Sequence, residues 1–340
     1  MNRKTFTAIT AIGAFACAGH ATAIVMTDGT SNANYINLAN SAAYNSVGQI
    51  YGTSSSGGFA ASGVIIAQDW VLTAAHVTSG ATSLQFYADS GGTNFNRTSV
   101  SADSWYTYSQ WNGDLGAGYD IGMMHLSSGL GCGSVSSGSG GCAASLYRGS
   151  GELNNAATEV GFGMTGTGST GATSFDGLKR AGQNTVDAMY RSADGGARIL
   201  LADFDSGRNG DNNFGSRSPL KLESLIAPGD SGGGLFQNIN GQSYLTGITS
   251  FGWGRLDGTT DSDYGDVGGW TRVSSFNSWI DSIINGTAST AAFQEGGFGA
   301  QALAVAVPEP GTWAMLLSGL GLLTFMARRA RSMARSSARR

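Results

Sequence analysis

The sequence has little histidine, cysteine, proline and charge. Of its 340 residues, three are histidine, three are cysteine, four are proline and only 12% are charged. So few cysteines allow at most one disulfide, and so few histidines leave little choice for a site that needs an imidazole. Long apolar runs occur only at the two ends, and only one amphipathic helical stretch stands out, near residue 280. The interior therefore lacks the pattern of a helical bundle.

Glycine and short apolar segments fill the sequence instead. The chain has 54 glycines, and segments such as ASGVIIA, WVLTAA and SLQFYA carry β-branched and aromatic residues between Gly, Ser or Asn. This pattern is typical of short strands joined by turns. We therefore expect an all-β fold, and 340 residues are enough for one large domain or two lobes.

Both ends of the chain have the pattern of processing signals. Residues 1–23 join a basic start to the apolar segment TAITAIGAFACAG and end in Ala-Thr-Ala, which predicts a secretory signal peptide. Residues 308–340 begin with Pro-Glu-Pro, continue with an apolar segment at about 311–327 and end with six arginines. That order resembles the PEP-CTERM sorting tail.

The resemblance of residues 308–340 to a PEP-CTERM tail implies an exported protein of a Gram-negative bacterium. It implies transient anchoring in the inner membrane through a transmembrane segment, followed by removal of the tail by an exosortase-type enzyme. The terminal arginines agree with this orientation, since basic residues stay on the cytoplasmic side. The alternative is a permanent C-terminal membrane anchor. Residues 286–307 are small and polar, and they predict a linker to the tail.

Without its two ends the chain is strongly acidic. Removing two bases from residues 1–23, and six bases and one acid from residues 308–340, leaves 11 basic and 22 acidic residues, a net charge of about −11. Such a charge repels nucleic acid and anionic lipid. We therefore expect no nucleic-acid partner.

Metal binding has little support in the sequence. Cys132 and Cys142 flank the loop GSVSSGSGG without a nearby histidine, so in an exported chain they predict one disulfide and not a metal site. Residues 203–213, DFDSGRNGDNN, have oxygen side chains at a spacing loosely suited to Ca²⁺ but lack the closing glutamate of an EF-hand. A solvated surface loop is the commoner origin of such a segment. No cofactor is therefore expected, and calcium is the alternative.

The segment APGDSGGGLF, residues 227–236, raises the question of a nucleophile. Its glycines suit either a flexible turn or a tight turn that presents Ser231. A serine hydroxyl needs a base to take its proton, and the histidines that remain after loss of the signal peptide are His76 and His125. His76 ends the strand-like run DWVLTAAH, where an imidazole can face a cleft, whereas His125 lies inside an apolar alternating segment. His76 is therefore the candidate base.

Asp120 is the best candidate for the carboxylate that fixes the tautomer of such a base and stabilises its imidazolium form. It directly precedes the apolar run IGMMHL, where a carboxylate is semi-buried and needs a partner. Asp114, in an Asn-Gly-Asp setting, has the pattern of a solvated turn. The predicted set in chain order is His76, Asp120 and Ser231.

Three segments in this order, LTAAHV, YDIGMMHL and GDSGGG, are similar to the signature segments of trypsin- and chymotrypsin-like serine proteases. Likeness in EVGFGMTGTG, ITSFGWG and GGWTRVSSFNSWIDSII extends the resemblance over about residues 24–285. It implies two six-stranded antiparallel β-barrels with a boundary near residues 126–156, a C-terminal helix, and an active site in the cleft between the barrels.

The resemblance also implies a role for each site residue of a serine endopeptidase acting on peptide or protein substrates. His76 is the general base, Asp120 its orienting carboxylate and Ser231 the acylated nucleophile. The N–H groups of Gly229 and Ser231 form the oxyanion hole. A further set, Ser250, Phe251 and Gly252, pairs with the substrate backbone.

Activation follows from the same resemblance. In this family a new N-terminus beginning Ile-Val folds inward, and its ammonium pairs with the aspartate before the nucleophile, here Asp230. Cleavage after residue 23 exposes Ile24 directly, so signal peptidase itself would make the activating cut. The alternative is that Ile24 simply begins a strand.

The expected specificity pocket is apolar. Leu225 stands where trypsins have the aspartate that binds a basic side chain, and Gly252 and Gly268 leave room for a medium or large apolar side chain. The alternative is that Asp266 or Glu223 reaches the pocket and favours a basic residue.

Two other functional classes compete with a protease. An exported surface or matrix protein that uses a protease-like fold for binding would have lost a member of the triad, and all three members are present. An α/β-hydrolase esterase needs the order Ser, Asp, His, and no histidine follows Ser231. We expect a monomeric enzyme.

Overall fold

The structure is a computed structural model, and it describes residues 24–88, 98–130, 142–215 and 217–297. Strands dominate these residues, which confirms the all-β expectation. In chain order they are β1 (Val25–Met26), β2 (Val47–Ser54), β3 (Gly57–Ala67), β4 (Trp70–Thr73), β5 (Ala81–Ala88), β6 (Thr98–Tyr108), β7 (Gly122–Leu126), β8 (Ala156–Gly161), β9 (Thr165–Thr167), β10 (Gly171–Ser174), β11 (Arg180–Thr185), β12 (Ala188–Arg191), β13 (Ala197–Asp203), β14 (Ser224–Leu225), β15 (Gly234–Ile239), β16 (Gln242–Trp253), β17 (Val267–Arg272) and β18 (Phe293–Gly297). The helices are α1 (Asn32–Ala39), α2 (Ala75–Thr78) and α3 (Asn277–Ile284).

Six strands close into an antiparallel barrel that forms the first lobe. They run in the order β6-β5-β2-β3-β4-β7, and β7 pairs back onto β6. The register shows the closure, since Met124 of β7 lies opposite both Val71 of β4 and Trp105 of β6. A ring of strands satisfies the backbone hydrogen bonds that an open edge would leave free. This lobe has the six strands that the family resemblance implies.

The second lobe is built on a seven-stranded sheet in the order β11-β8-β15-β16-β17-β13-β12. A smaller sheet, β10-β9-β1-β14, brings the start of the described chain beside the segment that leads to Ser231. These pairings define a sheet and not a closed ring. The second six-stranded barrel therefore stays a prediction.

Apolar residues of both lobes form one large core cluster. It includes Ile50 and Phe86 of the barrel, Phe236 and Ile248 of the second lobe, and Ile280 of α3, all of them 4% exposed or less. Burial of each such side chain contributes about 1.5–3 kcal/mol. The shared core holds the two lobes together, so residues at their junction keep a fixed geometry.

The chain continues past α3 as an ordered strand. β18 pairs antiparallel with β6, the ring of Phe293 meets that of Tyr106 edge-on at 4.7 Å, and the indole N–H of Trp279 donates to the carbonyl of Ala292 at 3.1 Å. The sequence predicts a linker over residues 286–307; residues 293–297 within it form a strand, and the linker itself stays a prediction. Backbone pairing and one aromatic contact hold the segment in place despite its small, polar composition.

Several predicted features lie outside the described residues, namely the signal peptide at 1–23, the tail at 308–340 and Cys132. Cys142 packs against the main core cluster, and its disulfide with Cys132 stays a prediction. Among the residues that the structure describes, no helix is both long and apolar enough to cross a membrane.

Candidate active site

His76 and Asp120 meet because β4 and β7 are neighbours in the barrel. His76 lies on α2, the single turn that follows β4, and Asp120 lies two residues before the start of β7. Atom Nδ1 of His76 is 2.8 Å from Oδ2 of Asp120, and the backbone N–H of His76 donates to Oδ1 at 2.9 Å. A carboxylate only accepts hydrogen bonds, so this contact assigns the ring proton to Nδ1. Nε2 is then free to act as a base.

Asp120 is also held from the second lobe. Its side chain is fully buried. The hydroxyl of Ser250 donates to Oδ2 at 2.6 Å, and the hydroxyl of Thr271 donates to the Asp120 carbonyl at 2.8 Å. Hydrogen bonds to a charged group contribute about 1.5–3 kcal/mol each. The carboxylate that orients His76 is thus fixed by residues of both lobes.

Opposing effects act on the pKa of His76. Burial lowers the pKa of the imidazole, whereas the charge and the hydrogen bond of Asp120 raise it, and the net shift is upward. The side chain keeps 32% of its surface exposed, and the ring of Trp111 lies 6.5 Å from it, centroid to centroid. The imidazole is therefore both anchored and accessible, as a general base must be.

The competing histidine and aspartate lie elsewhere. His125 lies in β7 with Nε2 at 3.3 Å from Asp69 and Nδ1 at 2.7 Å from Asp103. Asp114 begins a short turn and accepts the N–H of Gly116 at 2.9 Å. The side chains of His125 and Asp114 therefore make local contacts and are not part of the His76–Asp120 pair.

Ser231 lies in a tight turn that its glycine neighbours make possible. Gly229 and Gly232 have φ angles of +94° and +81°, in the left-handed region that residues with a Cβ rarely adopt. A Cβ on Gly232 would collide with Oγ1 of Thr73 and with the carbonyl oxygen of Ser62. The Ser231 carbonyl accepts the N–H of Ser62 at 2.8 Å, which docks the turn onto the first barrel. The glycines are therefore requirements of a rigid turn.

Two backbone N–H groups at this turn are left without an acceptor. The N–H of Gly229 and that of Ser231 donate to no atom of the described chain, whereas the N–H of Gly232 donates to the carbonyl of Thr249 at 2.8 Å. The hydroxyl of Ser62 donates to the carbonyl of Gly229 at 3.1 Å and so restrains the adjoining peptide plane. Unused donors beside a candidate nucleophile suit an oxyanion.

Asp230, next to Ser231, is buried and accepts three backbone hydrogen bonds. They come from Ile24 at 3.0 Å, Ala227 at 2.9 Å and Gly163 at 2.7 Å. Burial nevertheless raises the pKa of Asp230 to about 6, since it outweighs these hydrogen bonds. Ile24 is fully buried and has a φ of +57°. The start of the described chain thus turns inward to the base of the nucleophile turn.

The ladder between β16 and β17 has a bulge within the segment 250–252. Phe251 lies opposite Gly269, Gly252 lies opposite Gly268, and the register shifts between Thr249 and Phe251. Ser250 is the residue left over, and its hydroxyl is the one that reaches Asp120. Bulges next to active sites commonly redirect a side chain in this way.

The residues expected to form the specificity pocket converge on Trp270. Leu225 is fully buried and belongs to the same core cluster as Trp270. A Cβ on Gly268 would lie 2.6 Å from Cη2 of Trp270 and 3.1 Å from Cδ1 of Leu225, and a Cβ on Gly252 would lie 3.1 Å from the methyl group of Thr260. An indole, a leucine and a methyl group therefore border the space that the two glycines leave. The room beside Gly268 is therefore occupied by Trp270 and Leu225.

Glu223 and Asp266, the acidic candidates for the pocket, are buried in their own loops. They are 1% and 2% exposed, and burial raises their pKa values to about 9 and about 7. Glu223 accepts the N–H of Leu220 at 2.5 Å, and Asp266 accepts the N–H of Ser262 at 2.8 Å. A glutamic acid that stays protonated at neutral pH is a poor counter-ion for a basic substrate side chain.

Sequence reasoning missed two hydroxyl residues that support the site, Ser62 and Thr271. Ser62 accepts the N–H of Phe162 at 3.0 Å and donates to Gly229, and Thr271 donates to the carbonyl of Asp120. Each is a single hydroxyl residue inside an apolar strand, in AASGVII and GGWTRV. A lone buried hydroxyl needs a partner, so this pattern is the available signal.

A β-barrel lobe packed on a second sheet, with an imidazole–carboxylate pair held from both, defines the chymotrypsin-like class of serine protease folds. The family model for trypsin matches residues 36–280, more than half of the chain. The chain therefore belongs to the trypsin family, and the match includes His76, Asp120 and Ser231. A second family model, the PEP-CTERM protein-sorting motif, matches residues 306–331. Both resemblances predicted from the sequence are confirmed.

Proposed function

We propose that the protein is an exported serine endopeptidase in which Ser231 attacks the peptide bond, His76 takes the serine proton and Asp120 orients His76. The observation that carries this proposal is the 2.8 Å contact between Nδ1 of His76 and a fully buried carboxylate. The second lobe, which holds Ser231, donates to the same carboxylate through Ser250. The pair and the nucleophile turn therefore belong to one rigid assembly.

The chemistry follows from these positions. Oγ of Ser231 bonds to the scissile carbonyl carbon while Nε2 of His76 takes its proton, and Asp120 stabilises the imidazolium. The proton then passes to the leaving amine, so that the C–N bond breaks and an ester on Ser231 remains. Water repeats the sequence on the ester, and the acid product leaves with the serine restored.

Charge develops on the carbonyl oxygen during both attacks. The N–H groups of Gly229 and Ser231 are free to donate to it, and they need no rearrangement because the positive φ of Gly229 already sets the turn. Loss of one such donor typically costs about 2.7–4 kcal/mol of transition-state stabilisation.

Cleavage of the signal peptide before Ile24 completes the nucleophile turn. It replaces a neutral N–H at 3.0 Å from Asp230 by an ammonium group, which places a positive charge in direct contact with this buried carboxylate. It also relieves backbone strain, since a β-branched residue with a φ of +57° is a strained conformation and a free N-terminal residue has no φ. Both effects favour the inward position of Ile24 after cleavage.

The substrate preference is for small or medium apolar residues before the cleaved bond. Leu225 and Trp270 would form the base of the pocket, since both border Gly268. The buried acid nearest to Leu225 along the chain is Glu223, and burial raises its pKa to about 9. A lysine or arginine side chain would therefore enter a pocket without a counter-ion. The peptide backbone of the substrate would pair with residues 250–252.

The PEP-CTERM motif marks the chain for export and transient membrane anchoring in a Gram-negative bacterium. Signal peptidase would act on the first 23 residues and an exosortase-type enzyme on the tail. The enzyme would then act as a monomer at the cell surface or outside the cell.

Hydrolysis of an unfolded protein such as casein tests the proposal. The purified protein should cleave it, Ser231→Ala and His76→Ala should not, and the change Ser109→Ala, a serine outside the triad, is the matched control that should retain activity. Binding of casein without hydrolysis by folded wild type would favour the alternative, a protease-like binding protein.

A further inference from the structure

The second lobe contains a group of aspartates whose charge no cation of the described chain neutralises. Asp203 and Asp205 are 0% and 5% exposed, and Asp187 is a half-buried neighbour of Asp203. None of the ion pairs among the described residues includes any of the three. Buried carboxylates without a counter-charge are unfavourable, so the protein needs either protons or a bound cation here.

Three buried side-chain oxygens in this part of the chain also lack a hydrogen-bond partner. They are the Oδ1 atoms of Asp203, Asp205 and Asn212. The other oxygen of Asp203 accepts the N–H groups of Asn213 and, at 3.1 Å, of Phe214, so the loop that contains Asn212 folds back over Asp203. Native folds leave only a few buried polar atoms unsatisfied, and three of the nine such side-chain atoms in the described chain belong to these residues.

The backbone places Asp203 and Asp205 on the same side of the chain. Phe204 continues the pairing of β13 past its end, since its N–H donates to the carbonyl of Asp266 at 2.9 Å and its carbonyl accepts the N–H of Gly265 at 3.0 Å. Along an extended segment residues two apart project to the same side. Asp203 and Asp205 therefore share one side, and the apolar ring of Phe204 takes the other, in the core.

We propose that Asp187, Asp203, Asp205 and Asn212 form a calcium site. Carboxylates with one amide oxygen are the ligands that Ca²⁺ prefers, and a donor set without His or Cys disfavours zinc and copper. Ca²⁺ takes 6–8 oxygen ligands, so backbone carbonyls of the loop and water would complete the shell. This site is separate from the triad and does not depend on the proposed protease activity.

A neighbouring group of acids is the main competitor for a cation. Asp261, Asp263 and Asp266 have oxygens within 4.8 Å of one another, closer than the carboxylates of the proposed site. Asp261, however, is exposed, and Asp266 already accepts the N–H of Ser262. None of the orphaned oxygens in the described chain belongs to these three residues, which is why the proposal favours the other group.

Calcium titration of the metal-free protein tests the site. The Ser231→Ala variant is used because it cannot digest itself. It is treated with EDTA, dialysed and then titrated with CaCl₂, and binding is followed by calorimetry and by thermal unfolding. Titrations with MgCl₂ and NaCl are the ionic controls. We expect one Ca²⁺ per chain and an unfolding temperature about 5 °C or more higher at a hundredfold excess over Kd. Asp205→Asn should weaken Ca²⁺ binding by about tenfold or more.

The matched control is Asp263→Asn, which removes the same charge from the competing group and should leave Ca²⁺ affinity unchanged. Asn212→Ala, which removes a neutral carboxamide and no charge, serves as a second test if Asp205→Asn does not fold, and it should also weaken binding. Loss of binding in Asp263→Asn alone would overturn the proposal in favour of the competing group. No Ca²⁺ binding by the folded parent protein would overturn it in favour of a proton shared between Asp187 and Asp203.

Discussion

An N-terminal extension before Ile24 should silence the enzyme, and its removal should activate it. In the uncut chain Ile24 offers Asp230 a neutral N–H at 3.0 Å and has a φ of +57°. Freeing the N-terminus adds a positive charge next to a carboxylate that is 1% exposed, and it removes the torsional constraint.

The size of the effect follows from these two changes. Leaving one member of a buried ion pair without its partner costs about 3–5 kcal/mol, and a strained backbone torsion costs about 1–3 kcal/mol. The lower figure for the pair alone corresponds to about a hundredfold. Because Asp230 adjoins Ser231 and its carbonyl accepts the N–H of Gly233 at 2.7 Å, its position sets the geometry of the nucleophile turn. We therefore expect kcat/KM to rise at least about a hundredfold when Ile24 is freed.

The assay compares one preparation before and after removal of an N-terminal tag whose cleavage leaves Ile24 first. Hydrolysis of a chromogenic peptide is measured in both states, and a variant that keeps one additional glycine before Ile24 is the matched control. Asp230→Asn should be equally inactive in both states. Equal activity of the extended and freed forms would refute this account of activation.

The contact between Ile24 and Asp230 also gives the protein with an N-terminal extension a distinct pH dependence of its stability. Burial raises the pKa of Asp230 from 3.8 to about 6 in the uncut chain, so the fold favours the protonated acid. This contribution to the free energy of unfolding is fully present below pH 4. It is lost as the pH rises through 6, and the total loss is about 3 kcal/mol. The ammonium of a freed Ile24 favours the carboxylate and removes this loss. Thermal unfolding from pH 4 to 7 should therefore separate the two forms.

Three further predictions concern the triad, a buried acid and the pocket. Asp120→Asn should lower kcat by about 10⁴, measured by peptide hydrolysis, because the amide favours the wrong tautomer of His76. Burial raises the pKa of Glu159 to about 8, so this side chain is protonated at neutral pH. Above that pH the wild type loses stability because the buried acid ionises. The free energy of unfolding of Glu159→Gln should therefore equal that of the wild type at pH 5 and exceed it at pH 9. A peptide library should show cleavage after Ala, Val or Leu, and preferred cleavage after Arg would contradict a pocket closed by Leu225.

The site residues were largely predictable because each stands at a recognisable change of pattern. His76 ends an apolar strand, Asp120 begins one, and Ser231 lies among glycines whose φ values the turn requires. Such positions follow from local rules about strand ends and backbone freedom. The contact between His76 and Asp120 follows from the pairing of β4 with β7.

Other features depend on contacts between distant segments, and the sequence alone did not reveal them. The strand β18 has no apolar alternation and is held by the edge of β6 and by Phe293 against Tyr106. The space beside Gly268 is filled because the ring of Trp270, two residues further along the same side of β17, lies against it. Asp203 and Asp205 suggest a solvated loop by composition, yet tertiary packing buries them. Burial of a polar segment is decided by its neighbours and not by its own pattern.

The most direct test of the central claim is the site of reaction with a fluorophosphonate probe. The purified protein, with Ile24 confirmed as its first residue, is labelled, digested and analysed by mass spectrometry. We expect a single phosphonate adduct on Ser231, absent in His76→Ala. Folded protein of this form that stays unlabelled, or that carries the adduct on another serine, would contradict the assignment of Ser231 as the activated nucleophile.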